Sequence, residues 1–130
     1  MNYSKEDIIA YRINRAWETY QDAKSLAEVK SWNSCINRLY YACYYAAIAL
    51  LFENGINAHT PVGVKSNVGQ HFVKSQILLL SEGKLYSDLF NFRHRGDYED
   101  FIVYDDSIVQ PFVEPVEQFI QHIEDLIRKK

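Results

Sequence analysis

The sequence predicts an all-α protein, an antiparallel bundle of four main helices plus one short one. Three observations carry that expectation. Apolar residues recur at helical spacing through most of the chain. Cap residues stand where those periodic runs begin and end. The single alternating segment, DYEDFIVYDD at 97–106, has no second strand to pair with, so it reads as an extended loop. With 130 residues, the chain is expected to form one domain with one core, spanning residues 1–130.

The first helix is expected over residues 5–29. Ser4 can cap it, with Asp7 three residues on, and Ile9, Ile13, Ala16, Tyr20, Ala23 and Ala27 share one face. Its other face carries Arg12, Arg15, Glu18, Asp22 and Lys24 and reads as solvated surface. Lys30-Ser31 breaks the pattern, and Ser31 is placed to cap a second helix near 32–53. That helix, CINRLYYACYYAAIALLF, is apolar almost all round, which suits a central helix or one lying between the core and a partner subunit. Ala42, Ala46 and Ala49 form a small-residue stripe that permits close approach, and Asn54-Gly55 ends the helix.

Residues 56–62 read as a loop containing Pro61. A weaker helix follows at about 63–80, with Gly63 and Gly69 inside it. Gly83 separates it from a short helix at about 84–94, which Gly96 is expected to stop. The last helix follows Ser107 and turns Phe112, Val116, Phe119 and Ile123 inward, with Leu126 or Ile127. Pro111 fits its first turn. Pro115 does not, so the helix is expected to start nearer 114 or to kink there.

Composition excludes several classes. Apolar residues at 48% and aromatics at 15% rule out disorder. A net charge of −3 argues against a nucleic-acid binder that relies on bulk charge. Cys35 and Cys43, eight residues apart on one helix, are too distant to bridge and lack metal or redox spacing, so the chain is expected to be cytoplasmic. The polar start MNYSKEDII is not a signal peptide, and the longest apolar run is too tyrosine-rich for a membrane span. No phosphate loop, nucleophile elbow, metal-ligand spacing or basic recognition helix is present, and no metal or cofactor is expected.

The candidate site residues lie where charge is concentrated. Between His59 and Arg95 five basic residues face two acids, and three of the four histidines fall in the same window. This is where an anionic ligand would be met. Arg38, beside Asn37, sits inside the most apolar helix and must be paired or reach the surface. Asp97 is the expected partner, folding back after a turn at Gly96. Losing one member of such a buried pair costs roughly 3–5 kcal/mol. Asn67, Gln70, His71 and Lys74 share one face of the third helix and could wall a ligand. In FRHRGDYEDF, Arg93 and Arg95 could clamp a phosphate, with His94 as a base and Tyr98 nearby.

Asn37-Arg38-Leu39-Tyr40-Tyr41-Ala42, then Tyr45-Ala46-Ala47 and Leu50-Leu51, resemble the second helix of HEPN-domain proteins. Thr60, Gly63-Val64, Gly69-Gln70, Phe72-Val73-Lys74 and Arg93…Gly96-Asp97-Tyr98 resemble one small single-domain branch of that superfamily. The resemblance implies a helical bundle, commonly a homodimer with its cleft at the subunit interface, in a prokaryotic toxin–antitoxin or defence setting with a nucleotidyltransferase partner. Many such proteins are metal-independent ribonucleases whose signature is an arginine, a gap of four to six residues, then a histidine. Counting from Arg38, Arg93 or Arg95, no histidine stands at that distance. The expected function is therefore a module that binds nucleotide or RNA, or a nucleotidyltransferase partner, without cutting. The alternatives are a metal-independent ribonuclease toxin and a non-enzymatic protein-interaction bundle.

Overall fold

A computed structural model describes residues 2–129 of the chain. Its helices are α1 (Lys5–Glu28), α2 (Trp32–Glu53), α3 (Pro61–Val68), α4 (Leu80–Tyr98) and α5 (Asp106–Arg128), with a π-helical turn at Gly69–Val73 extending α3. No strand occurs among the described residues. The all-α bundle expected from the sequence is therefore the fold, with α2 packed against α1, α3, α4 and α5.

Local chemistry explains the first two helices. The Ser4 hydroxyl accepts from the Asp7 amide at 3.1 Å, and the Asp7 carboxylate accepts from the Ser4 amide at 3.2 Å. This capping box satisfies two amide groups that the first helical turn leaves without partners. Ile9, Ile13, Ala16, Thr19, Tyr20 and Ala23 form the buried face. Lys30, at φ 60°, makes the reversal into α2. Ser31 stands at the N-cap of α2 without a side-chain capping bond, so its contribution there is backbone only. Eleven α2 residues are buried, including Ala42, Ala46 and Ala49 and both cysteines. By length and composition α2 is apolar enough to cross a membrane, but 61% of its most apolar window is buried inside the bundle.

The middle of the chain departs from the sequence expectation. α3 begins at Pro61, not at 63, because Thr60 caps it through the Gly63 amide at 3.0 Å and Pro61 takes the first helical position. The helical path ends at Val73 rather than near 80. A turn through Gln76, at φ 65°, then leads to α4. α4 runs from Leu80 to Tyr98, about a turn longer at each end than expected. Gly83 does not separate two helices. It lies inside α4, where a Cβ would come within 2.9 Å of a Val73 methyl, so the glycine admits the neighbouring π-turn. Gly96 does not stop the helix either, and so the connection after it shortens to residues 99–105.

α5 starts at Asp106, capped by the Asp105 carboxylate, which accepts from the Ile108 amide at 3.2 Å. It continues through both Pro111 and Pro115. Four residues apart and both exposed, the prolines share the solvent side, where water can serve the carbonyls they leave unbonded. Val109, Val116, Phe119, Ile120 and Ile123 face inward. Two polar ties lock α5 in place. Trp17 Nε1 donates to Glu124 at 3.0 Å, and His122 Nδ1 lies 2.9 Å from the buried Glu82, which also accepts from the Leu79 amide at 2.7 Å.

Two predictions follow from this packing. Gly83→Ala gains about 1 kcal/mol of helix propensity but overpacks Val73, for a net loss of about 1 kcal/mol. Adding Val73→Ala relieves the clash, so urea denaturation of the two single variants and the double shows non-additivity of about 1 kcal/mol or more; strict additivity would refute the contact. The second concerns alkali. Burial pushes Tyr20 and Tyr40 up to about 12, and Tyr86 well above its ordinary value of 10.0. Between those values the folded chain holds protons that the unfolded chain releases. This stabilisation is complete below about pH 10 and is lost as pH rises toward 12. Urea midpoints that fall from pH 9 to pH 11 check it.

Candidate functional site

A cleft of roughly 500 Å³ opens between the N-terminal half of α2 and the C-terminal half of α4, lined among others by Asn33, Asn37, Arg38, Arg93, Gly96 and Asp97. Its two cations are held by one tyrosine. The Arg38 guanidinium lies 5.1 Å from the centre of the Tyr41 ring, and that of Arg93 lies 5.4 Å from it. Arg93 also stacks over Tyr40 at 5.1 Å and donates through Nη2 to the Tyr41 hydroxyl at 3.1 Å. The weakly hydrated, planar guanidinium is the cation best suited to such stacking.

The partners of the two arginines differ from the expectation. Asp97 does not answer Arg38. Because α4 continues through Gly96, Asp97 stays one turn beyond Arg93 on the same helix face, 3.5 Å from its Nε. Arg38 instead donates through Nε and Nη2 to the Asn37 side-chain oxygen at 3.1 and 2.8 Å. Among the described residues it has no ion pair. Arg93 Nε is buried and makes no hydrogen bond, since the Asp97 oxygen lies within Coulomb reach but outside bonding geometry. The cleft thus holds two guanidiniums against one carboxylate, and one of its donors is unused.

Of the residues singled out in the sequence, the structure brings Asn37, Arg38, Arg93, Gly96 and Asp97 together. The others lie elsewhere. Arg95 turns outward to Glu99 at 3.2 Å. His94 is exposed, packed on the Phe90 ring and 4.7 Å from that of Tyr98. His71 and Lys74 are exposed on and just after the π-turn, and Asn67 donates to the Gly63 carbonyl at 2.8 Å. Among the described residues no histidine lines the cleft.

Sequence reasoning missed two further cations. Arg12 and Arg15 are not a solvated face. Arg12 lies 5.0 Å over Phe52 and donates to the Ile48 carbonyl, while Arg15 lies 4.9 Å over Tyr45 and donates to its hydroxyl at 3.0 Å. The available signal was on the neighbouring helix: an all-round aromatic α2 needs covering by something long and partly apolar. Asn33 was missed as well. Its amide donates to the Ile102 carbonyl at 2.9 Å and accepts from the Tyr104 amide at 2.8 Å, which pins the α4–α5 loop beside the cleft.

The HEPN domain family profile matches residues 9–126. This chain belongs to the HEPN domain family. It is 35% identical to the "UPF0332 protein" of Thermotoga maritima over 95% of this chain and 93% of that one. It is 32% identical to "Putative toxin MJ0605" of Methanocaldococcus jannaschii over 72% of this chain and 69% of that one. A second protein of that organism, "Putative toxin MJ0142", is 24% identical over 67% of this chain and 59% of its own length. The matched span of this HEPN domain includes the whole Arg38–Arg93 cleft.

Among the described residues, the Tyr41 hydroxyl is the only hydrogen-bond acceptor of the Arg93 guanidinium. Tyr41→Phe keeps the ring and removes that acceptor, so it should cost about 1 kcal/mol by urea denaturation. An unchanged midpoint would mean that stacking alone holds Arg93.

Proposed function

We propose that this HEPN domain is a toxin–antitoxin-type module whose Arg38–Arg93 cleft receives a phosphate of a nucleotide or RNA, and that it acts with a nucleotidyltransferase partner rather than by cutting RNA itself. The observation that carries this reading is the excess cation in the cleft, two guanidiniums against one carboxylate. A phosphate matches that excess, because guanidinium groups bind it through charge-assisted, often bidentate hydrogen bonds. The toxin–antitoxin setting is supported by two relatives named as toxins.

Binding is favoured over cleavage for a chemical reason. Metal-independent phosphodiester cleavage needs a positioned group that can take and return a proton. The cleft's guanidiniums do not deprotonate, and its one carboxylate, Asp97, serves as the counter-ion of Arg93 at 3.5 Å. The nearest histidine in sequence, His94, is stacked outside it.

The test is titration of AMP and of a short single-stranded RNA at two salt concentrations. Wild-type protein should bind, more weakly at high salt. Arg38→Ala and Arg93→Ala should each weaken binding about tenfold or more, with helical content by circular dichroism showing that the fold survives. Lys74→Ala should bind as wild type does. No binding at either salt would leave the interaction-bundle reading, and RNA cleavage in chelator that Arg93→Ala abolishes would replace the proposal with a ribonuclease.

A further inference from the structure

The Arg38–Arg93 cleft has two walls, and one short loop joins them. The α4 wall ends in Gly96 and Asp97, the α2 wall begins at Asn33, and all three residues line the cleft. Residues 99–105 run from α4 back past the start of α2. Their far end is fastened to the cleft itself. The Asn33 side-chain amide donates to the Ile102 carbonyl at 2.9 Å, and its oxygen accepts from the Tyr104 N–H at 2.8 Å. The Tyr104 hydroxyl donates to the carbonyl of Phe92, another lining residue, at 2.8 Å, and the Tyr104 ring would lie 3.4 Å from a Cβ at Gly96. The near end is fixed by the Glu99 amide, which donates to the Arg95 carbonyl at 2.9 Å. The loop is thus a strap held at both ends on residues that line or adjoin the cleft.

Phe101 stands between the two fastenings. It is 100% exposed, and its backbone is held at φ 63°, a left-handed conformation that a bulky L-residue adopts only against a steric penalty. Strain of this kind clusters at ligand clamps. The residue lies one position, about 3.8 Å of chain, from the Ile102 carbonyl that Asn33 bonds to the cleft wall. The other rings near the cleft are committed. Phe92 packs edge-on against Tyr104 at 5.5 Å and against Phe112 at 5.7 Å. Tyr41 carries both guanidiniums, and Tyr98 lies 4.7 Å from His94. Of these rings Phe101 alone offers an unused π-face.

We propose that Phe101 stacks on the base of a nucleotide whose phosphate lies between Arg38 and Arg93, so that the cleft takes a nucleoside phosphate with an unpaired base rather than a bare phosphate. This rests on the phosphate-binding reading and adds the other end of the ligand to it. Charge sets the orientation. Asp100, beside Phe101, is answered by no cation among the described residues, and Glu99 precedes it, so the strap repels an anion that the guanidiniums attract. A base is neutral and has a π-face, which makes it the part of a nucleotide that the strap can accept. Stacking would also withdraw from water the apolar ring that Phe101 exposes. Such stacking tolerates any base, because every base has a π-face, and it is denied to bases paired inside a duplex. The Asn33 clamp is what makes the arrangement local: it ties the strap that carries the ring to the wall that carries Arg38.

Titration of the full chain with AMP and with ribose 5-phosphate, which lacks the base, tests the stack. Wild type should bind AMP about tenfold more tightly than ribose 5-phosphate. Phe101→Gly removes the ring and suits the positive φ, so helical content should hold. That variant should bring AMP down to the level of ribose 5-phosphate and leave ribose 5-phosphate unchanged, while Phe101→Trp should keep the preference. The fluorescence of 2-aminopurine riboside 5′-monophosphate should be quenched on binding wild type and not on binding Phe101→Gly. Loss of affinity for a short single-stranded RNA in Phe101→Gly, with a duplex of the same sequence unaffected, supports an unpaired RNA base as a source of the ligand. Equal loss for the duplex overturns stacking. Equal affinity of wild type for AMP and ribose 5-phosphate, or a preference that Phe101→Gly leaves intact, overturns the proposal while the phosphate reading stands. Failure of both compounds to bind wild type overturns the phosphate reading and this proposal with it.

Discussion

Everything in this fold depends on covering α2. A helix that is apolar almost all round cannot show a face to water without a large penalty, so every other helix is arranged around it. Its alanines and cysteines have no exposed surface, which lets neighbouring helices come close. Tyr40 continues this core toward α4, its ring 5.9 Å from Tyr86, which in turn stacks on Phe119 of α5 at 6.1 Å. The outer face is covered differently, by stacked arginines. The choice has a consequence. A leucine there would have closed the surface, whereas a guanidinium leaves charge and unused donors at its rim.

Arg93 shows what that means for the site. It is anchored well enough to be structural, with two rings beneath it, a tyrosine hydroxyl on Nη2 and the Asp97 charge near Nε. Yet its Nε is unbonded in a place where water is excluded. An unpaired donor of this kind is costly in a packed protein, and such groups cluster where a ligand completes them. Arg38 completes the pattern from the other side of Tyr41. Among the described residues its only hydrogen-bond partner is a neutral amide, which does not cancel its charge.

The sequence made the helices and the anomalous residues legible, but not the relations between them. α1, α2 and the inward face of α5 could be read because periodicity and caps are local. Gly83 and Gly96 were misread because a glycine is a breaker only in the absence of a tertiary reason for it. Gly83 makes room for Val73, and neither that contact nor the π-turn carrying Val73 leaves a local signature. The misreading of Gly96 then propagated. It released Asp97 into a loop, and so assigned it to Arg38 rather than to the arginine one turn behind it. Arg38, Asn37, Arg93 and Asp97 were found because a charge inside or at the end of an apolar helix is conspicuous. Arg12 and Arg15 were not, because on α1 they sit among Glu18, Asp22 and Lys24 and look like ordinary surface.

The same relations bear on the chemistry. Had Asp97 paired with Arg38, Arg93 would have been the free cation, and a single arginine near His94 would have looked like a remnant of a cleaving site. With α4 unbroken to Tyr98, His94 is carried to the outer side of the helix and stacks on Phe90, while Arg93 and Asp97 turn into the cleft. The two buried hydroxyls behind the cleft, Tyr40 and Tyr86, offer no base, since burial drives Tyr40 up to about 12 and Tyr86 well above 10.0. What remains in the cleft is two guanidiniums and the Asp97 carboxylate, framed by rings and amides. Such a site can hold an anion through its guanidiniums, with the Asp97 carboxylate beside Arg93 setting how much of that charge is free.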